Sequence, residues 1–228
     1  MAEMELSTAL SESIRNDSAD TLADILEVGV DSFLDDGVIK DFPFLSTIVG
    51  IYKVGKNVNE LYLIKKLKTF LCAINADTAT EEEKNKRRAT IQDDSKKRSQ
   101  ELEHLLLLIN RYIGNEKPAW LAKFYLAYID GSISWEHLTV CAEIIDRLLP
   151  GDYALLASAS EIQIQNDVGM ENALRLIALG LLKEKDLVYA NDSLILNCSI
   201  ADDNQSDESI RNYQRTKLGE QFVSIIRN

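Results

Sequence analysis

The chain has 228 residues, 46% hydrophobic and 27% charged, with 10 Gly, 3 Pro and a formal net charge of −12. These proportions exclude a collagen-like or disordered chain, and the length allows one or two domains whose cores need no disulfide or metal staple. So acidic a chain repels the phosphate backbone at long range, so nucleic-acid binding would need a local basic surface.

Charge changes sign along the sequence. Residues 1–40 hold 10 acidic and 2 basic residues, residues 41–76 hold 2 and 5, and residues 151–228 return to 12 and 7. The start, Met1-Ala2-Glu3-Met4-Glu5-Leu6, is acidic where a secretory signal would be basic and then apolar. No apolar run reaches the roughly 20 residues of a spanning helix. Cys72, Cys141 and Cys198 are odd in number, far apart and set in apolar runs, as expected of buried reduced thiols. The expectation is a cytoplasmic protein.

From Asp17 to Leu34, Leu22, Ile25, Leu26, Val30 and Phe33 recur at helical spacing, with Asp17 or Ser18 as cap and Asp35-Asp36-Gly37 as stop. Residues 42–71 follow as an unusually apolar hairpin. Phe42-Pro43 turns the chain, Phe44 to Tyr52 is apolar, and Val58 to Leu71 carries a stripe of Leu61, Ile64, Leu67, Phe70 and Leu71 beside Lys65, Lys66 and Lys68. Two readings compete. In one, Phe42, Phe44, Ile48 and Ile51 enter a membrane or a partner while Lys65, Lys66 and Lys68 meet anionic headgroups. In the other, preferred because apolar runs this short usually belong to a core, the hairpin is buried and its lysines are solvated.

Residues 77–100 read as a polar segment, a solvated helix or connector. Thr80 and Glu83 form a capping box, and the clusters Lys86-Arg87-Arg88 and Lys96-Lys97-Arg98 are flanked by acids, which favours a solvated surface over phosphate binding. Three amphipathic segments come next: Leu102 to Ile113, with Leu105, Leu106, Leu108, Ile109 and Ile113 apolar, then Trp120 to Ile129, then Glu136 to Leu149. They should pack antiparallel and complete a helical bundle over residues 1–149. Asp130-Gly131-Ser132 resembles the tail of an EF-hand loop. Leu126 and Tyr128 fall where its first carboxylates belong and His137 where its bidentate Glu belongs, so a turn capped by Ser134 is expected in place of a calcium site.

Catalytic constellations are absent from the pattern. His104 and His137 belong to no His-x-x-x-His pair, and Glu101-x-x-His104, which has the spacing of a di-iron ligand pair, lacks the second such pair, so a solvated helix face is expected there. No catalytic residue, metal or cofactor is assigned, and the protein is expected not to be an enzyme.

Pro150-Gly151 opens the last region, residues 150–228. Asp152 to Gln165 reads as a helix, Asn166 to Gly169 as a turn and Met170 to Leu182 as a second helix. Leu187 to Ala190 and Leu194 to Ile200 read as hairpin arms around Asn191-Asp192-Ser193. A polar loop from Asp202 to Asn212 precedes a helix capped by Thr216 and carrying Leu218, Phe222, Ile225 and Ile226. Helix, helix, hairpin, helix is the winged-helix order. The fold class expected is therefore mainly α, an N-terminal helical bundle followed by a winged-helix-like α+β module with a small hairpin.

Leu176-Ile-Ala-Leu-Gly-Leu-Leu182, a hairpin, and Tyr213-x-x-Thr216-x-Leu218-Gly219-x-x-Phe222 together resemble the closing winged helix of many bacterial regulators and of the Abi-alpha-like proteins. The likeness covers about the last 75 residues well and the helical part in outline. It implies a bacterial protein of phage or mobile-element defence, of the abortive-infection type, and carries over no catalytic residue.

A DNA-reading winged helix would have to use Arg175, Lys183, Lys185, Arg211, Arg215 and Lys217, while Leu187 to Asp203 contains no Lys or Arg. Charge therefore disfavours nucleic acid as the partner. The expected function is non-enzymatic defence through contact with a protein or a second copy of the chain, with peripheral engagement of the inner membrane by residues 42–71. A winged-helix transcriptional regulator is the alternative.

Overall fold

The computed structural model describes residues 58–75, 80–92, 96–164, 167–185 and 211–227. Asp17 to Leu34 and the first half of the apolar hairpin, with Phe42, Phe44, Ile48 and Ile51, lie outside them. So do the hairpin arms Leu187 to Ala190 and Leu194 to Ile200, and Cys198. The described residues form eight helices and a three-stranded antiparallel sheet, in two compact units that divide between Arg147 and Leu148.

The first unit contains α1 (Val58–Asn75), α2 (Glu81–Gln92), α3 (Lys96–Arg111), α4 (Lys117–Ile129) and α5 (Trp135–Arg147). α1 packs along α4 and touches α3, and α5 lies beside α4. The stripe read from the sequence is buried: Ile64, Leu67, Phe70 and Leu71 leave water, with Ile74 continuing it. Leu102, Leu105, Leu108 and Ile109 of α3 and Leu121, Phe124 and Tyr125 of α4 complete the core. Each such side chain contributes about 2 kcal/mol by leaving water.

The local signals act as read. Thr80 N–H donates to Glu83 Oε2 at 2.8 Å and Glu83 N–H to Thr80 Oγ1 at 3.3 Å, the reciprocal bonds of a capping box at the start of α2. α4 ends where Gly131 takes φ +76°, a left-handed conformation that lets Ser132 N–H reach Ala127 O at 2.9 Å. Ser134 Oγ then accepts from His137 N–H at 3.2 Å and starts α5.

Of the two readings for residues 77–100, the helix is the one seen: Glu81–Gln92 is α2 and residues 96–100 begin α3. Another expectation is corrected. Ile113 is not on the buried stripe, being 92% exposed, because α3 ends at Arg111; the neighbouring Tyr112 is buried in its place and donates its hydroxyl to Ala142 O at 3.1 Å. Burial also raises the pKa of that phenol above its ordinary value.

The second unit runs α6 (Pro150–Ser158), β1 (Glu161–Ile164), α7 (Asp167–Ala178), β2 (Leu182–Glu184), β3 (Arg211–Arg215) and α8 (Lys217–Arg227). It is the winged-helix-like module. The helix expected from Asp152 to Gln165 breaks after Ser158, since Glu161-Ile162-Gln163-Ile164 alternates polar and apolar and buries every second residue against the module core. β3 lies between β1 and β2, pairing Ile162 with Tyr213 and Leu182 with Arg215. β2 and β3 pair antiparallel, while the arms expected at Leu187 to Ala190 and Leu194 to Ile200 lie outside the described residues; Arg211 and Asn212, read as loop, belong to β3. The turn read at Asn166 to Gly169 is also displaced, because α7 already includes Asp167 to Gly169.

The two motifs quoted for the family resemblance meet in space. Gly180 ends α7 with φ +73°, and Thr216 N–H donates to Leu181 O at 3.0 Å while Thr216 Oγ1 donates to Gly180 O at 2.6 Å. Thr216 Oγ1 also accepts from Gly219 N–H at 3.0 Å and so caps α8. A Cβ on Gly219 would sit 2.1 Å from the Leu181 carbonyl oxygen, so only glycine lets the two backbones approach this closely.

Candidate functional site

The six cations assigned to nucleic acid all lie in the described part of the module, and the structure separates them into two groups. Arg175, on α7, donates from Nη2 and Nε to Asp152 Oδ1 at 2.9 and 3.1 Å and from Nε to Oδ2 at 3.2 Å, and it also bonds the Asn172 amide oxygen. Asp152 has no exposed surface, and its Oδ2 accepts from Leu149 N–H at 2.8 Å. One buried carboxylate therefore fastens the start of α6 and the side of α7 together. Facing that carboxylate raises the guanidinium pKa, with Glu171 adding a smaller attraction.

Arg215 is used internally as well. Its Nε donates to Leu156 O at 2.7 Å, its Nη1 lies 3.1 Å from Glu220, and its side chain is 6% exposed. Lys185 reaches Glu161 across the sheet at 2.8 Å. Lys183, Arg211 and Lys217 remain exposed. The fold uses both Arg175 and Arg215 to join its own elements.

The same economy governs the first unit. Lys66, expected on a solvated or lipid-facing side, is 8% exposed and donates to Asn110 O at 2.7 Å in the last turn of α3. Lys117 donates to Asp146 O at 2.7 Å in the last turn of α5. Both ammonium groups satisfy carbonyls that a helix end leaves open, where the negative end of the helix dipole favours a cation. Burial lowers the pKa of Lys66 from its ordinary value. Lys65 and Lys68 are partly exposed, so the basic face of α1 is narrower than its sequence suggests.

Arg87, Asp130 and Glu101 also bind within the unit. Arg87 makes two bonds of 2.6 Å to the Asp130 carboxylate, which spans the turn once compared with a calcium loop. Glu101 is not on a solvated face: it is 4% exposed and accepts from Tyr128 Oη at 2.7 Å, with Lys97 at 3.9 Å. His104 is exposed and meets Trp135 edge-on with centroids 5.9 Å apart. Among the described residues no three His, Cys, Asp or Glu side chains gather to hold a metal ion. Burial pushes the Cys141 thiol up to about 12, far from the reactive thiolate.

Sequence reasoning missed two features of the module. Asp152, read only as the start of a helix, is the acid that holds Arg175. Val168, read as part of a turn, belongs to α7 and is 71% exposed. An Asp two residues after Pro150 was a signal for a bond back to the helix start; nothing local could show that an Arg on the following helix would join it.

Comparison with family models, curated proteins and solved structures finds no match to this chain. Among the described residues no helix is long and apolar enough to cross a membrane.

Proposed function

We propose that this protein works by contact and not by catalysis, and that its winged-helix-like module binds protein. The observation that carries this reading is the buried Asp152 clamp on Arg175. A winged helix that read DNA through α7 would keep such a cation free for a base edge or phosphate. Here the module holds 12 acidic and 7 basic residues over 148–227, and internal partners take Arg175, Arg215 and Lys185. Peripheral engagement of anionic lipid through residues 42–71 belongs to the same reading, with Lys65 and Lys68 as the cations that α1 leaves near the surface. The likeness to Abi-alpha-like proteins supplies the biological setting, defence against phage or mobile elements.

Duplex binding by the full chain tests this. Lys183, Arg211 and Lys217 are the exposed cations on which a regulator would rest. Three phosphate contacts would limit the slope of log affinity against log salt to about −3. The contact reading expects no duplex binding at physiological salt, and sequence-preferring binding with a slope of up to about −3 would replace it with the regulator. Co-sedimentation with anionic vesicles tests the lipid element, and plaque counts on expressing cells test the setting.

A further inference from the structure

The sheet of the second unit ends in an open edge. Its strand order is β1-β3-β2, so among the described residues nothing pairs with the outer side of β1. Arg215 N–H donates to Ser160 O at 3.0 Å just before β1. Antiparallel pairing alternates, so Ile162 and Ile164 turn their amides and carbonyls toward Tyr213 and Arg211, and Glu161 and Gln163 turn theirs away from the sheet. Both outward residues are exposed, as are Ser158, Ala159 and Ser160 before them, so small side chains lead into the edge.

Sheet edges are commonly blunted by proline, lysine or a bulge. β1, Glu161-Ile162-Gln163-Ile164, has no proline or lysine, and its register with β3 runs unbroken, which excludes a bulge. Its shortness is its one protection, so a partner strand has to use every outward group. β1 is its own complement in this respect. A two-fold axis at Ile162 runs two copies antiparallel and sets Glu161 of each opposite Gln163 of the other, so that every outward N–H meets an outward carbonyl. On the solvent face each Gln163 amide can then donate to a Glu161 carboxylate, and no like charges stand opposite one another. Ile162 and Ile164, both buried, stay on the core side in each copy.

We propose that β1 is a self-pairing edge: β1 of one copy adds antiparallel to β1 of a second copy about Ile162, joining two three-stranded sheets into one. Two such short strands bury little surface, so the dimer is weak and its population rises with concentration. This inference rests on the protein-contact reading of the module and names a second copy as the partner.

Sedimentation velocity of the purified full chain at rising concentration tests it, and a monomer–dimer equilibrium is expected. Gln163→Glu sets carboxylate against carboxylate at both symmetric positions and should weaken the dimer about fivefold, whereas Gln163→Lys creates two ion pairs and should tighten it by a similar factor. Glu184→Lys, on β2 at the opposite edge of the sheet, changes the net charge more than either and should leave the equilibrium unchanged. Gln163→Pro removes an N–H that β3 does not use, so the sheet should survive while the dimer is lost.

A chain that stays monomeric up to its solubility limit would overturn the edge while leaving contact with another protein in place. A dimer that Gln163→Glu and Gln163→Pro leave unchanged would also overturn it, since the interface would lie elsewhere. Circular dichroism checks each fold, and the Glu and Lys variants carry the test if Gln163→Pro does not fold. Sequence-preferring duplex binding by a chain that stays monomeric would remove the underlying reading as well.

Discussion

Each unit contains an arginine that grips an aspartate with two nitrogens, and the pair with the shorter bonds should be the weaker. Arg87 and Asp130 meet at 2.6 Å with side chains 15% and 35% exposed, whereas Arg175 and Asp152 meet at 2.9 to 3.2 Å with side chains 36% and 0% exposed. Water can solvate Asp130 whenever the first pair opens. Asp152 has no such recourse, since burial leaves it dependent on Arg175 and the Leu149 amide. Burial of the acid, more than bond length, sets what a pair contributes.

A double-mutant cycle on the module pair gives the largest effect. Arg175→Ala should cost about 3 kcal/mol, because it strands a buried carboxylate. Asp152→Ala should cost less, about 2 kcal/mol, since it removes the acid together with its need for a partner. The double variant should then be closer to Asp152→Ala than to the sum of the two. Urea melts of the full chain read all three. Additive losses would show that the pair is a surface contact like that of Arg87.

The comparison also shows what the sequence could disclose. The capping box of Thr80 and Glu83, the Gly131 turn with its Ser134 cap, the Thr216 cap and the stripe from Ile64 to Leu71 are written within a few residues of each other, so local rules find them. β1 escaped because four alternating residues are too few to outweigh a helical neighbourhood, and the strand exists only through pairing with distant β3. Arg175 and Lys66 looked like free cations for the same reason: their partners, Asp152 and the Asn110 carbonyl, are brought in by the packing of other helices. In the module, the helical period of α7 was legible while its outward side was not, since which side faces water depends on where α6 and β2 pack against it.

Alkali should destabilise the first unit by a smaller amount. Burial raises the Cys141 thiol to about 12 and raises the Tyr112 phenol, both in the first unit. A folded pKa above the unfolded value means that the unfolded chain loses its proton first. The contribution of Cys141 is therefore complete below the unfolded value near pH 9 and falls as pH rises toward 12. Between pH 9 and 10 the loss should be about 1 kcal/mol. Cys141→Ala should flatten this dependence, and an unchanged slope in that variant would mean that the thiol meets water in the folded protein.

The smallest effect belongs to the pair with the best distances. Arg87→Ala should cost about 0.5 kcal/mol, because Asp130 regains water and a partly exposed bidentate pair gains little over hydration. Raising salt should shrink even that difference, since added ions screen a solvated pair, while the cost of Arg175→Ala should barely change because the stranded acid is buried. Melts of both variants at low and high salt therefore read the burial of each acid directly. If Arg87→Ala were the costlier of the two, the turn at Asp130 would be holding α2 in place with more than one exposed ion pair, and the ranking by burial would fail.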